Sequence, residues 1–241
     1  MKEIGHIWDS MSAAPAFGTA VTLVAFQIAR WVQNKSGGNP LCNPVLIAIA
    51  IIILLLFSTD TSYATYFNSA ALIHFLLGPA TVALAIPLYK NKHEIRQTAL
   101  PIGVAVAAGA TVAASSAMLV AWALGGSRAV VLSLGPKSVT TPIAMGISAQ
   151  IGGLPELTAV IVVATGVLGA VCAPEVTALI GARSARVRGL AAGVTGHGIA
   201  TARMLSLNET AGAFSGVGMG LCGLFTALLL PLLLRLLWHP V

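Results

Sequence analysis

The sequence has 241 residues, of which 57% are hydrophobic and only 8% are charged, and its formal net charge is +6. Its mean hydropathy is +0.91, and because a soluble globule of this length could not bury so much apolar surface, a soluble fold is excluded. At about 20 apolar residues per crossing, the chain has room for roughly six to eight transmembrane or re-entrant helices. We therefore predict an all-α, multi-pass membrane protein that forms a single membrane domain over residues 1–241.

The charged residues lie in short linkers between apolar runs, which is typical of topology signals and not of nucleic-acid binding. Loop charges place Arg30, Lys35 and the cluster from Lys90 to Arg96 on the cytoplasmic side. We favour re-entry of residues 129–151, which makes the cluster from Arg183 to Arg188 cytoplasmic too. The alternative is that residues 129–151 cross the membrane, in which case that cluster is external and the charge rule fails there. No cleavable signal peptide is recognisable, so we expect a multi-pass protein of the inner or plasma membrane. The three cysteines share no C-x-x-C spacing, so we expect no metal, no cofactor and no structural disulfide.

Six apolar runs, taken in chain order, predict membrane helices. Two further segments, residues 129–151 and 190–205, carry Gly, Thr and a charged or ionisable residue in their middle, and the first of them also carries Pro and Ser. Backbone breaks at membrane depth are tolerated only where protein or a wet cavity satisfies the freed groups, so these segments indicate a cavity. The six runs are Pro15–Val32, Leu41–Phe57, Ala70–Tyr89, Ala99–Leu124, Leu157–Ile180 and Ala211–Trp238.

A repeat is indicated when the chain is compared with itself at an offset of 57 residues, because Leu-Gly-Pro at 77–79 then falls on Leu-Gly-Pro at 134–136. The repeat predicts a broken helix followed by a long apolar helix, twice, with breaks at Gly78, Pro79 and Pro136. Paired interruptions of this kind point to the binding site of a transporter. The alternative is chance similarity between two helices rich in Gly, Ala and Val.

The first polar segment places Lys137, Ser138, Thr140 and Thr141 between Pro136 and Pro142. A charged residue at the bilayer centre costs about 2.5 to 3.5 kcal/mol on insertion scales, so Lys137 should face a partner or a wet cavity. With the free amides of a broken helix, it could bind a carboxylate. The alternative is a lysine that reaches the interface from a short loop.

The second polar segment flanks His197 with Gly196 and Gly198, and Thr201 and Arg203 follow at helical spacing. The glycines permit close approach of a backbone or a ligand. His197 could exchange a proton, and Arg203 could bind a carboxylate through two parallel hydrogen bonds. The alternatives are a hydrogen-bonded packing histidine and an interfacial arginine. Earlier in the chain, Asn43 before Pro44 is either a helix N-cap or a ligand at an unwound turn.

Four strings together resemble the LrgB/CidB family of bacterial inner-membrane proteins, which includes the YohK-like proteins and the membrane part of the plastidial glycolate/glycerate transporter. The likeness covers nearly the whole chain from Asn43 onward. Two positions depart from the family pattern: Ala211 stands where a Glu is common, and Gly196 stands where a Ser often precedes the histidine. The strings are Pro136–Met145, Gly196-His197-Gly198, Thr201-Ala202-Arg203 and Gly212-Ala213-Phe214-Ser215.

The resemblance implies two functions. One is a secondary carrier of small monocarboxylates such as glycolate, glycerate, pyruvate or lactate, in which Lys137 and Arg203 hold the anion, the hydroxyls bond it and His197 handles a proton. The other is a holin-like or antiholin-like oligomeric regulator of murein hydrolase export and autolysis, working beside an LrgA/CidA-type membrane partner. No catalytic motif is present, so no enzyme activity is expected.

Overall fold

The computed structural model describes residues 14, 16–37, 42–83 and 85–237, and within these ranges the regular secondary structure is helical. Three of the described helices are long and apolar enough to cross a bilayer: Ala99–Ala123, Pro155–Leu179 and Glu209–Leu234. The prediction of an all-α membrane protein is therefore confirmed. Pro15, Leu41 and Trp238, which bound three of the predicted runs, lie outside the described residues.

The helices agree with the predicted runs to within a few residues at most ends, and both polar segments are also helical on either side of an interruption. In chain order the described helices are α1 Phe17–Lys35, α2 Pro44–Ser58, α3 Tyr63–Ser69, α4 Ala71–Ala83, α5 Ala85–Lys90, α6 Lys92–Gln97, α7 Ala99–Ala123, α8 Arg128–Leu134, α9 Thr141–Ile151, α10 Pro155–Leu179, α11 Ala185–Leu207 and α12 Glu209–Leu237.

The chain divides into two compact units, residues 1–83 and residues 84–241. In the first unit, α1 packs against α2 through the small buried residues Ala25, Ala29 and Ala48. The backbone N–H of Gly18 in α1 donates to the Ser69 hydroxyl at the end of α3, at 3.1 Å. The single membrane domain expected over residues 1–241 stays a prediction.

In the second unit, α8 and α9 form a hairpin, which we call hairpin 1 (residues 128–151). The backbone N–H of Leu154, just after α9, donates to the Ser133 hydroxyl at 2.7 Å. The Thr158 hydroxyl in α10 lies 3.0 Å from the Ser133 carbonyl oxygen and 2.8 Å from the Ser148 hydroxyl. Because α8 has only seven residues, α9 must double back to bring its end beside Ser133.

Helix α11 also reverses direction, at Gly196 and His197, and we call it hairpin 2 (residues 185–207). Its first leg is residues 185–195 and its second leg is residues 198–207. A Cβ at Gly189 in the first leg would meet Ala211 of α12. A Cβ at Gly212 in α12 would lie 2.6 Å from the Cα of Leu205 in the second leg. A straight helix would separate residues 189 and 205 by about 24 Å, so both legs return to the start of α12.

The two hairpins enter the second unit from opposite ends. Arg186 at the base of hairpin 2 pairs with Glu94 at 2.9 Å, and Glu209 just beyond it pairs with Lys90 at 2.7 Å. Hairpin 2 therefore begins and ends on the side that carries α5 and α6. Hairpin 1 follows α7, whose 25 residues carry the chain about 37 Å to the other side. The cluster from Arg183 to Arg188 thus lies on the same side as Lys90, as re-entry of residues 129–151 requires.

The predicted break at Gly78 and Pro79 is wrong, since α4 continues through Pro79 from Ala71 to Ala83. A proline removes one backbone donor and bends a helix, but the remaining hydrogen bonds can hold it together. A different repeat is visible in the structure. A hairpin followed by a long helix occurs twice, in residues 128–179 and 185–237, and α8 and α11 begin 57 residues apart, at Arg128 and Ala185.

Candidate functional site

The first interruption, at the tip of hairpin 1, consists of residues 135–140 between α8 and α9. Pro142 lies in the first turn of α9, where its missing N–H removes no helical hydrogen bond. Thr140 precedes α9 with extended backbone angles (φ −65°, ψ 147°), and its side chain does not cap the helix. The N-terminus of α9 thus presents uncapped backbone donors and a partial positive charge at the tip.

Lys137 projects from this tip and is half-buried. Its ammonium donates to the Ser138 hydroxyl at 3.4 Å, a long hydrogen bond. Two ion pairs are formed within residues 14, 16–37, 42–83 and 85–237, and neither includes Lys137. Ser138 and Val139 beside it are buried. Lys137 is therefore a cation without a carboxylate partner among the described residues, held next to the buried tip.

The second interruption, at the tip of hairpin 2, consists of Gly196 (φ −120°, ψ 15°) and His197 (φ 39°, ψ −130°). A positive φ is unfavourable for histidine, so surrounding contacts must hold this turn. Nε2 of His197 donates to the Val162 carbonyl oxygen in α10 at 3.0 Å. The ring is buried. The hydrogen-bonded packing role weighed for this histidine is present, and its role in proton exchange stays a prediction.

Two glycines of α10 form the surface on which the second tip rests. A Cβ at Gly166 would lie 2.6 Å from Cε1 of His197, and a Cβ at Gly169 would lie 2.6 Å from the Cα of Gly196. Real Cβ atoms do not approach other atoms so closely, so the tip packs directly on the α10 backbone. We call Gly166 and Gly169 the glycine seat of hairpin 2.

Thr201 and Arg203 lie on the second leg of hairpin 2. The Thr201 hydroxyl is buried, 2.7 Å from the His197 carbonyl oxygen and 2.9 Å from the Ser215 hydroxyl of α12. Nη1 of Arg203 is buried and has no hydrogen-bond partner in the part of the chain that the structure describes. An unpaired buried guanidinium nitrogen costs free energy, so a hydrogen-bond acceptor placed beside it would bind it favourably.

Cys222, near the middle of α12, lies between the tip of hairpin 1 and the end of the first leg of hairpin 2. Its sulfur lies 3.8 Å from the Ser138 carbonyl oxygen of the first tip and 3.7 Å from the Val194 carbonyl oxygen of the second hairpin. It also lies 3.9 Å from the Thr226 hydroxyl. Cys222 is fully buried. No sequence pattern indicates this role, because only tertiary packing brings Ser138 and Val194 to one side chain.

The structure thus brings part of the predicted site together. Ser138, the neighbour of Lys137, and Val194, three residues before His197, both contact Cys222. Arg203 lies six residues after His197, which is about 9 Å along the second leg, and no described contact joins it to Lys137. Asn43 belongs to the first unit, where its Oδ1 accepts from the Val45 backbone N–H at 2.9 Å and caps α2.

Chemically, the tip of hairpin 1 offers a cation, the Ser138 hydroxyl and the N-terminus of α9, and the tip of hairpin 2 offers the N-terminus of its second leg. The second leg of hairpin 2 begins at Gly198, directly after the turn, and α9 begins at Thr141. Helix N-termini and a lysine favour a bound anion, whereas the first legs end in carbonyl groups that favour a cation or a proton donor. No group of three or more metal-ligating side chains occurs among the described residues.

The chain matches the model of the LrgB-like family over residues 22–236. It is 31% identical over 218 residues to the holin-like protein CidB of Staphylococcus epidermidis, which covers 90% of this chain and 95% of that protein. It is 38% identical over 192 residues to the uncharacterized protein YwbG of Bacillus subtilis, covering 80% and 85% of the two chains. The uncharacterized protein YxaC of the same organism is 36% identical over 213 residues, covering 88% and 93%. No solved structure matches the chain.

Proposed function

Because the chain belongs to the LrgB-like family, we propose that it is a holin-like or antiholin-like membrane protein that regulates murein hydrolase export and autolysis. The observation that supports this proposal is its 31% identity to a relative named as a holin-like protein, over 95% of that relative. The proposed setting is the inner or plasma membrane, with the protein acting as a homo-oligomer beside a membrane partner of the LrgA/CidA type.

Assembly would use small residues on α12 that the fold leaves free. Gly212 and Gly218 face hairpin 2, since a Cβ at Gly218 would lie 2.8 Å from the Leu190 carbonyl oxygen. Gly216 and Gly220, in contrast, have no atom within 4 Å of an added Cβ among the described residues. Small residues spaced by four positions let a second helix approach closely in a membrane. Gly216 is buried and Gly220 is exposed, so the face that carries Gly220 is the proposed contact for another membrane helix.

The test is lysis and dye release in a strain that lacks its own LrgB-like proteins. Expression should alter autolysis and extracellular murein hydrolase activity, and purified protein in liposomes should release a trapped dye. Gly220→Leu should abolish both effects while the protein remains folded. Gly103→Leu on α7, where an added Cβ also meets nothing within 4 Å, is the matched control. Unchanged autolysis, together with liposomes that retain the dye, would contradict the proposal.

A second candidate function, a carrier of small monocarboxylates, is favoured by Lys137. Its cation lies at a helix interruption beside the middle of a membrane helix and has no carboxylate partner among the described residues. Glycolate, glycerate, pyruvate and lactate each have one carboxylate for Lys137 and one oxygen for Ser138, Thr140 or Thr141. In this proposal Arg203 is a second anion-binding residue, Thr201 supports the tip of hairpin 2, and His197 exchanges a proton.

Uptake of labelled glycolate or pyruvate into liposomes that contain the purified protein tests the carrier. Saturable uptake should disappear in Lys137→Ala and be partly kept in Lys137→Arg, because arginine keeps the charge. Lys92→Ala, which removes an exposed lysine, should leave uptake unchanged. Full uptake by Lys137→Ala would exclude the proposed anion site, and leakage without saturation would favour the holin-like function.

A further inference from the structure

Three observations in the second unit converge on one place. Hairpin 2 starts and ends on the side of α5 and α6, as its ion pairs to Glu94 and Lys90 require. Hairpin 1 starts and ends on the opposite side, as the bond from Leu154 to Ser133 requires. The tip of hairpin 1, through Ser138, and the end of the first leg of hairpin 2, through Val194, reach the same side chain, Cys222. Each hairpin therefore closes the route from one side of the membrane as far as Cys222.

The depth of this meeting point follows from the long helices around it. Cys222 is the fourteenth residue of α12, which has 29 residues, and so lies about 20 Å from either end of a helix about 43 Å long. A Cβ at Gly109, eleven residues into the 25-residue α7, would lie 3.1 Å from Val194. The tips thus meet near mid-membrane, where hydrocarbon would otherwise insulate one side from the other.

We infer that solute crosses this protein between the tips of the two opposed hairpins, at a central site for a small carboxylate that Cys222 lines. The inference rests on the proposal that the protein moves solute across the membrane. In the structure the tips are closed, because Cys222, Ser138 and Val139 are buried. Separation of hairpin 1 from Cys222 opens the site to one side, and separation of hairpin 2 from Cys222 opens it to the other.

The two hairpins are held by different contacts. Hairpin 1 is fixed at its base by the buried Ser133, Ser148 and Thr158 hydroxyls. At its tip, a Cβ on Gly135 would lie 2.9 Å from Leu230 and 3.2 Å from Met118, so apolar side chains support it. Hairpin 2 is fixed at its base by ion pairs with exposed members, which are worth about 0 to 1 kcal/mol each. Hairpin 2 is further held by the glycine seat under its tip and by the bond between the Thr201 and Ser215 hydroxyls, so each hairpin must break specific contacts to open.

The native cysteine provides the test. Cys42 and Cys172 are replaced by alanine, which leaves Cys222 as the single thiol in the full chain. The protein is placed in vesicles of known orientation, and a membrane-impermeant thiol reagent is added to one side or the other. We expect modification from each side, slowed several-fold by glycolate. The control is Val106→Cys in a Cys222→Ala background, because Val106 on α7 is as buried as Cys222. This cysteine should react about tenfold more slowly than Cys222, since opening of the tips exposes Cys222 alone.

The outcomes separate the inference from the proposed functions. If uptake is saturable but Cys222 reacts no faster than the Val106→Cys control, the proposed route between the tips is rejected and the proposed carrier function is kept. If uptake is absent but Cys222 reacts from both sides, the proposed route between the tips is kept and the proposed carrier function is rejected. As a second measurement, Ser138→Cys is oxidised to form a disulfide with Cys222, which should stop passage until a reductant is added. Passage through the verified disulfide form would overturn the inference.

Discussion

At the residue scale, the glycine seat sets how closely hairpin 2 approaches α10. Gly169→Ala places a methyl group against the Gly196 backbone, where a Cβ would lie 2.6 Å from the Cα. Backbone cannot move aside as a flexible side chain can, so we expect a loss of about 1–3 kcal/mol in the free energy of unfolding. The measurement is the midpoint of thermal unfolding in detergent, followed by the loss of the monodisperse peak.

The control for this substitution is Gly103→Ala on α7, where an added Cβ meets no atom within 4 Å. Alanine is favoured over glycine inside a helix by about 0.5–1 kcal/mol, so this variant should be as stable as the parent or more stable. Equal midpoints for Gly169→Ala and Gly103→Ala would show that the second tip does not rest on the seat.

The buried Thr201 hydroxyl links the second leg of hairpin 2 to Ser215 of α12, at 2.9 Å. Thr201→Val keeps the shape and leaves the Ser215 hydroxyl without this partner, so we expect a loss of about 1–3 kcal/mol. Thr195→Val is the matched control, because the exposed Thr195 hydroxyl bonds only carbonyl groups of its own helix, those of Ala191 at 2.8 Å and Ala192 at 3.4 Å. Chemical denaturation of both variants by the same protocol measures the difference, and similar stabilities would contradict a cross-helix role for Thr201.

The residues that could be predicted are those whose chemistry is local. Pro136 and Pro142 flank an interruption because a proline cannot donate a backbone hydrogen bond, and this interruption is present. The same reasoning fails at Pro79, which stays inside α4. Cys222 was missed because nothing next to it in the sequence is polar. Its place between two carbonyl oxygens comes from the packing of residues 84 and 28 positions away.

At the element scale, hairpin 1 depends on one buried threonine. Thr158 contacts Ser133 in α8 and Ser148 in α9, and all three side chains are fully buried. Thr158→Val leaves the Ser148 hydroxyl without that partner, which costs about 1–3 kcal/mol and should loosen the hairpin base. Hydrogen exchange of residues 133–154 should then rise more than exchange in hairpin 2. Thr111→Val, which removes a bond only to Ala107 of its own helix, should leave exchange in both hairpins unchanged.

The reversal of α11 was not predictable as an element. Residues 190–205 contain no proline, and the pattern predicted an interrupted stretch, not a hairpin. The turn needs only Gly196 and His197 to leave the helical conformation. Contacts from other helices, mainly the glycine seat and the start of α12, make the strained angles of His197 tolerable. Local propensity therefore indicated where α11 weakens, and tertiary packing determined that it turns back.

At the scale of the whole second unit, the two hairpin-and-helix pairs have opposite orientations. The pair in residues 128–179 enters from the side where α7 ends, and the pair in residues 185–237 enters from the side where α7 begins. Inverted repeats of this kind place a site near the midplane, between interrupted helices. The sequence comparison at an offset of 57 residues matched the Leu-Gly-Pro of hairpin 1 to α4, whereas the two hairpins of the structure begin at Arg128 and Ala185.

The orientation of this unit in the membrane follows from charge. One side carries Lys90, Lys92, Arg96 and the cluster from Arg183 to Arg188, against Glu94, Glu175 and Glu209. The other side carries Arg128 and Arg235 against Glu156 among the described residues. Cytoplasmic loops are enriched in Lys and Arg, so the first side should be cytoplasmic.

In a background without native cysteines, Lys92→Cys and Arg183→Cys should resist an impermeant maleimide on intact cells, while Leu124→Cys reacts. If Lys92→Cys and Arg183→Cys differ in reactivity, hairpin 1 crosses the membrane and the opposed arrangement is wrong. If both react and Leu124→Cys does not, the arrangement stands and the unit is inverted.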